Sequence, residues 1–140
     1  MMAARLLHPT PLVSEETRGY WEGCGRGEIV LQRCRACGVV QHRPRAVCAS
    51  CLGGQIEHFV ASGRGHVYTY TVTHQNQVPG FREACPYVLA YVELEEGPRL
   101  LTNVVGCEVD QVRIGLPVEV DFAAVEDSRE AIAVPRFRPA

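Results

Sequence analysis

Cys34-Arg35-Ala36-Cys37-Gly38 and Cys48-Ala49-Ser50-Cys51 decide the fold of this chain. A Cys-x-x-Cys turn folds two thiolates onto one side of a tight knuckle, and Gly38 suits the sharp exit from the first. Two facing knuckles complete a tetrahedron, the geometry zinc takes with sulfur ligands at about 2.3 Å. Four thiolates leave no coordination position open, whereas catalytic zinc keeps one for water. The expected role of Cys34, Cys37, Cys48 and Cys51 is therefore to hold a structural zinc. A segment this short cannot build its own core, so the metal supplies folding free energy, on the order of 10 kcal/mol. Iron in the same four thiolates would make an electron carrier; the shortage of aromatic residues around the knuckles and the linkage to a barrel argue against it. His42 could replace one cysteine, but four well-spaced thiolates make a fifth ligand unnecessary, and His42 is expected at the surface.

Upstream of the first knuckle, Glu28-Ile29-Val30-Leu31-Gln32-Arg33 reads as a strand. Val39 to Arg45 gives a second extended piece between the knuckles, and Leu52-Gly53-Gly54 closes the unit. A short helix precedes the ribbon. Ser14 is its expected cap, Glu15 and Glu16 fall where the helix dipole favours negative charge, and Gly25 and Gly27 stop it. Tyr20, Trp21 and Cys24 share one helical face. That face either packs on the rest of the fold or docks on a partner subunit.

From Ile56 onward the pattern is strands and turns. Val67 to His74 is rich in β-branched and aromatic residues, and Tyr87 to Leu94 and Leu100 to Val105 follow. One helical turn fits Glu108 to Val112. Val118, Val120, Phe122 and Ala124 then alternate with Glu119 and Asp121, and Ile132 to Phe137 completes the set. Short strands with one helical interruption suggest a small closed barrel of the OB type. The class is mostly β: a tail and short N-terminal helix (1–27), a rubredoxin-like zinc ribbon (28–54), and a five- to six-stranded OB-fold barrel (55–140).

Composition bounds the function. The 140 residues are 46% hydrophobic and 21% charged, which describes a globular chain. No run approaches the roughly 18 apolar residues of a membrane span, and the first residues lack the apolar stretch of a secretory signal, so a cytoplasmic location is expected. Seven cysteines are an awkward number for a disulfide framework. Cys24, Cys85 and Cys107 read as structural thiols. The net charge of −2, with all fourteen basic residues arginine, argues against a general nucleic-acid binder. No Ser-His-Asp order or suggestive carboxylate pair is present, and Gly23-x-Gly25-x-Gly27 ends a helix where a phosphate loop would begin one. Independent catalysis is not expected.

Taken together, Tyr20-Trp21-Glu22-Gly23, Leu31 to Gly38, Arg43 to Cys48, Ser62 to Val72, Pro86-Tyr87-Val88, Glu95 to Asn103 and Gly115-Leu116-Pro117-Val118 carry a resemblance. From about Leu12 to the C-terminus the chain resembles the zinc-ribbon plus OB-fold proteins associated with acyl-CoA metabolism. The resemblance implies an accessory, non-catalytic or co-catalytic subunit of a thiolase-fold enzyme. Its partners would be lipid-transfer-protein-like thiolases or aldolases acting on acyl-CoA or steroid side-chain CoA thioesters, with a MaoC-like hydratase as a further companion. It also implies acyl-CoA binding by the barrel.

Candidate contact residues follow from chemistry. Arg33, Arg35, Arg43 and Arg45 crowd the ribbon. Guanidinium forks match phosphate geometry, so Arg43 and Arg45 around Pro44 are candidates for the nucleotide end of CoA, against the plainer reading of a solvated face. The loop from Gln75 to Pro86 is long for a hairpin, and binding residues gather on such loops. Phe81, between Gly80 and Arg82, is placed to meet an acyl chain, an adenine ring or a partner. His74 at the end of its strand either serves as an acid/base group or hydrogen-bonds the loop. The competing class is a single-stranded nucleic-acid binder, a common use of OB-folds. Tyr68, Tyr70 and Tyr91 could stack bases, but Glu93, Glu95, Glu96, Glu119, Asp121, Glu126 and Asp127 make much of the barrel acidic.

Overall fold

A computed structural model describes residues 10–125 and 132–140. The chain runs through a helix α1 (Arg18–Gly25) and strands β1 (Val30–Cys34), β2 (Val40–Gln41), β3 (Ile56–Val60), β4 (Arg64–Thr73), β5 (Tyr87–Leu94), β6 (Arg99–Val104), β7 (Pro117–Ala124) and β8 (Ala133–Pro139). The first three strands form an antiparallel sheet in the order β2-β1-β3. The other five close into a barrel in the order β4-β5-β6-β8-β7. This is the mostly β fold expected, with the barrel at five strands. Glu126 and Asp127 lie outside the described residues.

The helix starts later than Ser14 suggests. Ser14 and Thr17 hydrogen-bond each other reciprocally, Ser14 N to Thr17 Oγ1 at 2.9 Å and Thr17 N to Ser14 Oγ at 3.3 Å, and close a turn of their own. Thr17 then takes the N-cap position, so Glu15 and Glu16 precede the first helical turn. The expected face is real: Tyr20 and Cys24 are buried and Trp21 is half-buried. Gly23 is needed where α1 crosses the ribbon. A Cβ there would stand 2.5 Å from Val30 Cγ2 and 3.2 Å from the Glu28 carbonyl.

The ribbon's sheet reaches further than the boundary expected at residue 54. All of β3 pairs with β1, from Cys34↔Ile56 to Val30↔Val60. Ala61 N then donates to Ile29 O, and the chain enters the barrel. Ribbon and barrel share one apolar cluster, with Ile29 and Leu31 of the ribbon alongside Val67, Val92, Leu100, Val118 and Phe137 of the barrel. Phe137 is fully buried, and burying a side chain of that size stabilises by about 1.5–3 kcal/mol.

Two strands are less buried than their pattern suggests. On β7 only Val118 is fully buried; Val120 and Phe122 are half-buried and Ala124 is exposed. The cause is pairing: β4 meets β7 only from Arg64 to His66, so the second half of β7 has β8 alone beside it. The same gap leaves Tyr70 exposed on β4. Three of the barrel's acidic residues are matched by arginines: Glu93 with Arg99 (2.9 Å), Glu95 with Arg64 (3.4 Å) and Glu119 with Arg138 (3.1 Å).

Candidate metal centre and ligand-contact surfaces

The two knuckles repeat one design. Gly38 N donates to Cys34 O at 2.8 Å, and Leu52 N donates to Cys48 O at 3.0 Å. The residue after each second cysteine is left-handed, Gly38 at φ +79° and Leu52 at φ +63°. Glycine adopts that conformation freely, while leucine is strained there. The turns bring the sulfurs together: all four Sγ atoms lie within 4.8 Å of one another. Cys34 to Cys51 and Cys37 to Cys48 are each 3.6 Å apart. A tetrahedron with 2.3 Å arms has edges of about 3.8 Å, so the four cysteines fit a zinc ion.

The electrostatics of the four thiols point the same way. The Cys51 and Ser50 N–H groups hold the Cys48 thiol down to about 6. At Cys37 the Val39 N–H lowers, but burial and the Cys48 and Cys34 sulfurs raise, and the net effect is upward to about 12. Thiols crowded this closely cannot all ionise against one another. A dication removes that conflict.

A pair of buried glutamines fixes the segment between the knuckles. Gln32 Nε2 donates to Arg45 O and Gln32 Oε1 accepts from Arg45 N, both at 2.9 Å. Gln41 Nε2 donates to Gln32 Oε1 (2.8 Å) and Val47 O (3.2 Å), while Gln41 Oε1 accepts from Ala49 N (2.9 Å). The two amides replace a strand ladder that this loop lacks. They seat Arg43, Arg45 and Cys48 relative to β1. Sequence reading gave these glutamines no role, since nothing local marks a polar residue in a strand as buried.

The four ribbon arginines divide into two pairs. Arg33 and Arg35 both reach Glu57 on β3, at 3.7 and 3.2 Å, and Arg33 lies 4.2 Å over the Phe59 ring. Arg43 and Arg45 are exposed, and among the described residues neither has an ion-pair partner. Arg43 lines a 200 Å³ cleft with Tyr20, Trp21, His42, Pro44 and Leu101, where α1, the ribbon and the barrel meet. His42 is not the surface residue expected. It is half-buried with its ring 5.1 Å from that of Tyr20, its Nδ1 is buried without a partner among the described residues, and burial, then the Arg43 charge, lower it to about 4.

The Phe81 loop is held by its own bonds. Val78 O accepts from Phe81 N (3.1 Å) and Arg82 N (3.0 Å), Gly80 N donates to Glu83 Oε2 (2.8 Å), and Arg82 Nη2 donates to Gln77 O (3.0 Å). Cys85 donates its thiol proton to Phe81 O, and Cys24 is buried in the core, as structural thiols should be. Phe81 is half-buried 6.1 Å from the Tyr87 ring and lines a cavity of about 380 Å³ that also contains Cys107 and Arg136. This cavity shares no lining residue with the Arg43 cleft, so Phe81 and the ribbon arginines sit on separate concavities. His74 is exposed just past β4 and lines neither.

Comparison with known proteins agrees with this two-part layout. Residues 21–57 match the ChsH2 rubredoxin-like zinc ribbon domain, and residues 60–123 match the ChsH2 C-terminal OB-fold domain. A DUF35 domain-containing scaffold protein of Methanocaldococcus jannaschii is 38% identical over 71% of this chain and 70% of its own length. The chain belongs to the DUF35 family. One chain of a solved structure described as the Ltp2-ChsH2(DUF35) aldolase is similar across 93% of this DUF35 chain and 98% of its own length, with 36% identity and a TM-score of 0.82. A probable enoyl-CoA hydratase alpha subunit of Thermomonospora curvata is 37% identical over 97% of this chain. The chain spans only 41% of that relative's length. The DUF35 ribbon and its four cysteines thus account for the metal centre. Among the described residues no helix is long and apolar enough to cross a membrane.

Proposed function

We propose that this chain is the acyl-CoA-binding accessory component of a thiolase-fold enzyme, a thiolase or aldolase acting on acyl-CoA or steroid side-chain CoA thioesters. The carrying observation is the likeness, over nearly the whole of both chains, to a chain of the Ltp2-ChsH2(DUF35) aldolase. In this reading the zinc ribbon and barrel form a rigid wedge that completes the partner's site. Arg43 and Arg45 meet the CoA phosphates, and Phe81 with Arg82 meets the acyl portion or the partner. His74, exposed beside the same loop, is kept as a contact residue only. The hydratase relative, of which this chain covers 41%, supports a MaoC-like hydratase as a further companion.

The barrel surface gives less support to nucleic-acid stacking. Arg99 lies 3.7 Å over the Tyr68 ring and is itself bonded to Glu93, so the ring face a base would use is covered by an ion pair. The functional test is reconstitution. The chain is mixed with the lipid-transfer-protein-like thiolase-fold enzyme of its own source, and assembly is read by light scattering and carbon–carbon cleavage by loss of acyl-CoA. A stoichiometric complex, with turnover only when both are present, is expected. Robust turnover by this chain alone, or no assembly, overturns the proposal.

A further inference from the structure

The 380 Å³ cavity lies at the end of the barrel where β5 begins and β6 ends, walled by Phe81, Tyr87, Val88 and Val104. Pockets of this size at barrel mouths suit small apolar groups steered by a few polar ones. Its lining includes one cation, Arg136 on β8. Among the described residues the Arg136 Nε–H is buried without a hydrogen-bond partner and no carboxylate pairs with this guanidinium. An unmet buried donor favours whatever acceptor enters beside it. The other charged residue of the lining is negative. Glu83 is in the lining, and burial followed by the Glu108 and Asp110 carboxylates raises the thiol of Cys107, another lining residue. A carboxylate ligand would gain Arg136 but share the cavity with Glu83 and lie on the side of Cys107 that Glu108 and Asp110 make negative; a neutral carbonyl gains the donor and avoids the repulsion.

We propose that this cavity receives the acyl end of a neutral thioester, its carbonyl oxygen accepting a hydrogen bond from Arg136, in preference to the free carboxylic acid. The placement rests on the acyl-CoA reading above and adds to it a site and a discrimination: the barrel holds acyl groups while they are esterified and lets the hydrolysed acid go. Phe81 supplies the apolar wall and Arg136 the selectivity.

The test uses the full chain with three probes, titrated by ligand-observed NMR: hexanoyl-N-acetylcysteamine, hexanoate, and S-hexyl-N-acetylcysteamine, the thioether that lacks only the carbonyl oxygen. The thioester should bind about tenfold tighter than the thioether, the discrimination one hydrogen bond to a charged donor provides, and tighter than hexanoate, whose charge meets that of Glu83. Arg136→Met should bring the thioester down to the level of the thioether, Arg136→Lys should restore part of the preference, and Phe81→Ala should weaken all three probes alike. The parent's preference needs no variant to fold. Hexanoate binding as well as the thioester, no saturable binding at millimolar probe, or a folded Arg136→Met that keeps the preference overturns the assignment. A chain that assembles with its thiolase-fold partner but shows any of these results loses the pocket alone. One that discriminates the probes but never assembles loses the accessory-subunit reading.

Discussion

Gln41 is the residue whose loss should be felt most for its size. Its amide joins Gln32 Oε1, Val47 O and Ala49 N in a buried setting, so Gln41→Leu leaves a backbone donor and a carbonyl without partners. Each such orphan costs about 1–3 kcal/mol, and the change should lower the denaturant midpoint at constant slope. An unchanged midpoint would show that water replaces the amide. His42 makes a pH prediction. Burial and the Arg43 charge lower it from about 6.5 to about 4 in the fold. Between those values the unfolded chain binds the extra proton, so this group's contribution is complete above about pH 6.5 and declines as pH falls towards 4. The full effect is at most roughly 3 kcal/mol. His42→Phe keeps the ring beside Tyr20 and should flatten the acid limb of stability against pH, measured with metal content monitored in parallel. An acid limb as steep as the parent's would assign it to the cysteines.

At the scale of elements, the ribbon has unequal halves. Ile29 and Leu31 anchor β1 in the shared core, whereas β2 has only two residues and each knuckle leaves one cysteine, Cys37 or Cys51, exposed. What holds residues 34–54 is the glutamine clamp and the metal. The chain should carry about one zinc per molecule by elemental analysis. Cys37→Ser or a strong chelator should raise hydrogen exchange across 34–54 by orders of magnitude while the barrel strands stay protected. A red, iron-containing protein would contradict the zinc assignment. The helix is tied to the other, anchored half through β1. Gly23→Ala would drive a methyl into Val30 and should cost about 1–3 kcal/mol, seen as a lower Tm.

For the whole molecule the relevant property is two concavities on one body built round a shared core. The Arg43 cleft sits at the junction of helix, ribbon and barrel, and the Arg136 cavity at one end of the barrel. CoA thioesters also have two unlike ends. Replacing Arg43 and Arg45 together by alanine should weaken free CoA and acyl-CoA equally, roughly tenfold at low salt and less at high salt, because exposed charges are screened. Isothermal titration against the two ligands measures this. A loss confined to acyl-CoA would move the phosphates elsewhere.

The sequence by itself determined the metal centre, because ligand identity and a two-residue spacing within each knuckle are local properties that almost any fold must respect. It likewise determined β5, where Tyr87 to Leu94 matched to the residue, since alternation between flanking turns is also local. Motif order from α1 to β7 was enough for the family. Other features depended on partners distant in the chain. Ile56 to Val60 read as the start of the barrel, yet its hydrogen bonds go to β1, twenty-odd positions upstream, and a strand's choice of neighbour is not written in its own pattern. Gln32 and Gln41 became a clamp only when the loop between the knuckles folded onto them. Arg33 and Arg35 looked like Arg43 and Arg45 until β3 brought Glu57 against the first pair alone. Arg136, in a strand read only for its apolar residues, acquired meaning when barrel closure set it beside Phe81 in one cavity. Spacing along a chain fixes what neighbours can ligate; burial and pairing across it are decided by closure of the sheet.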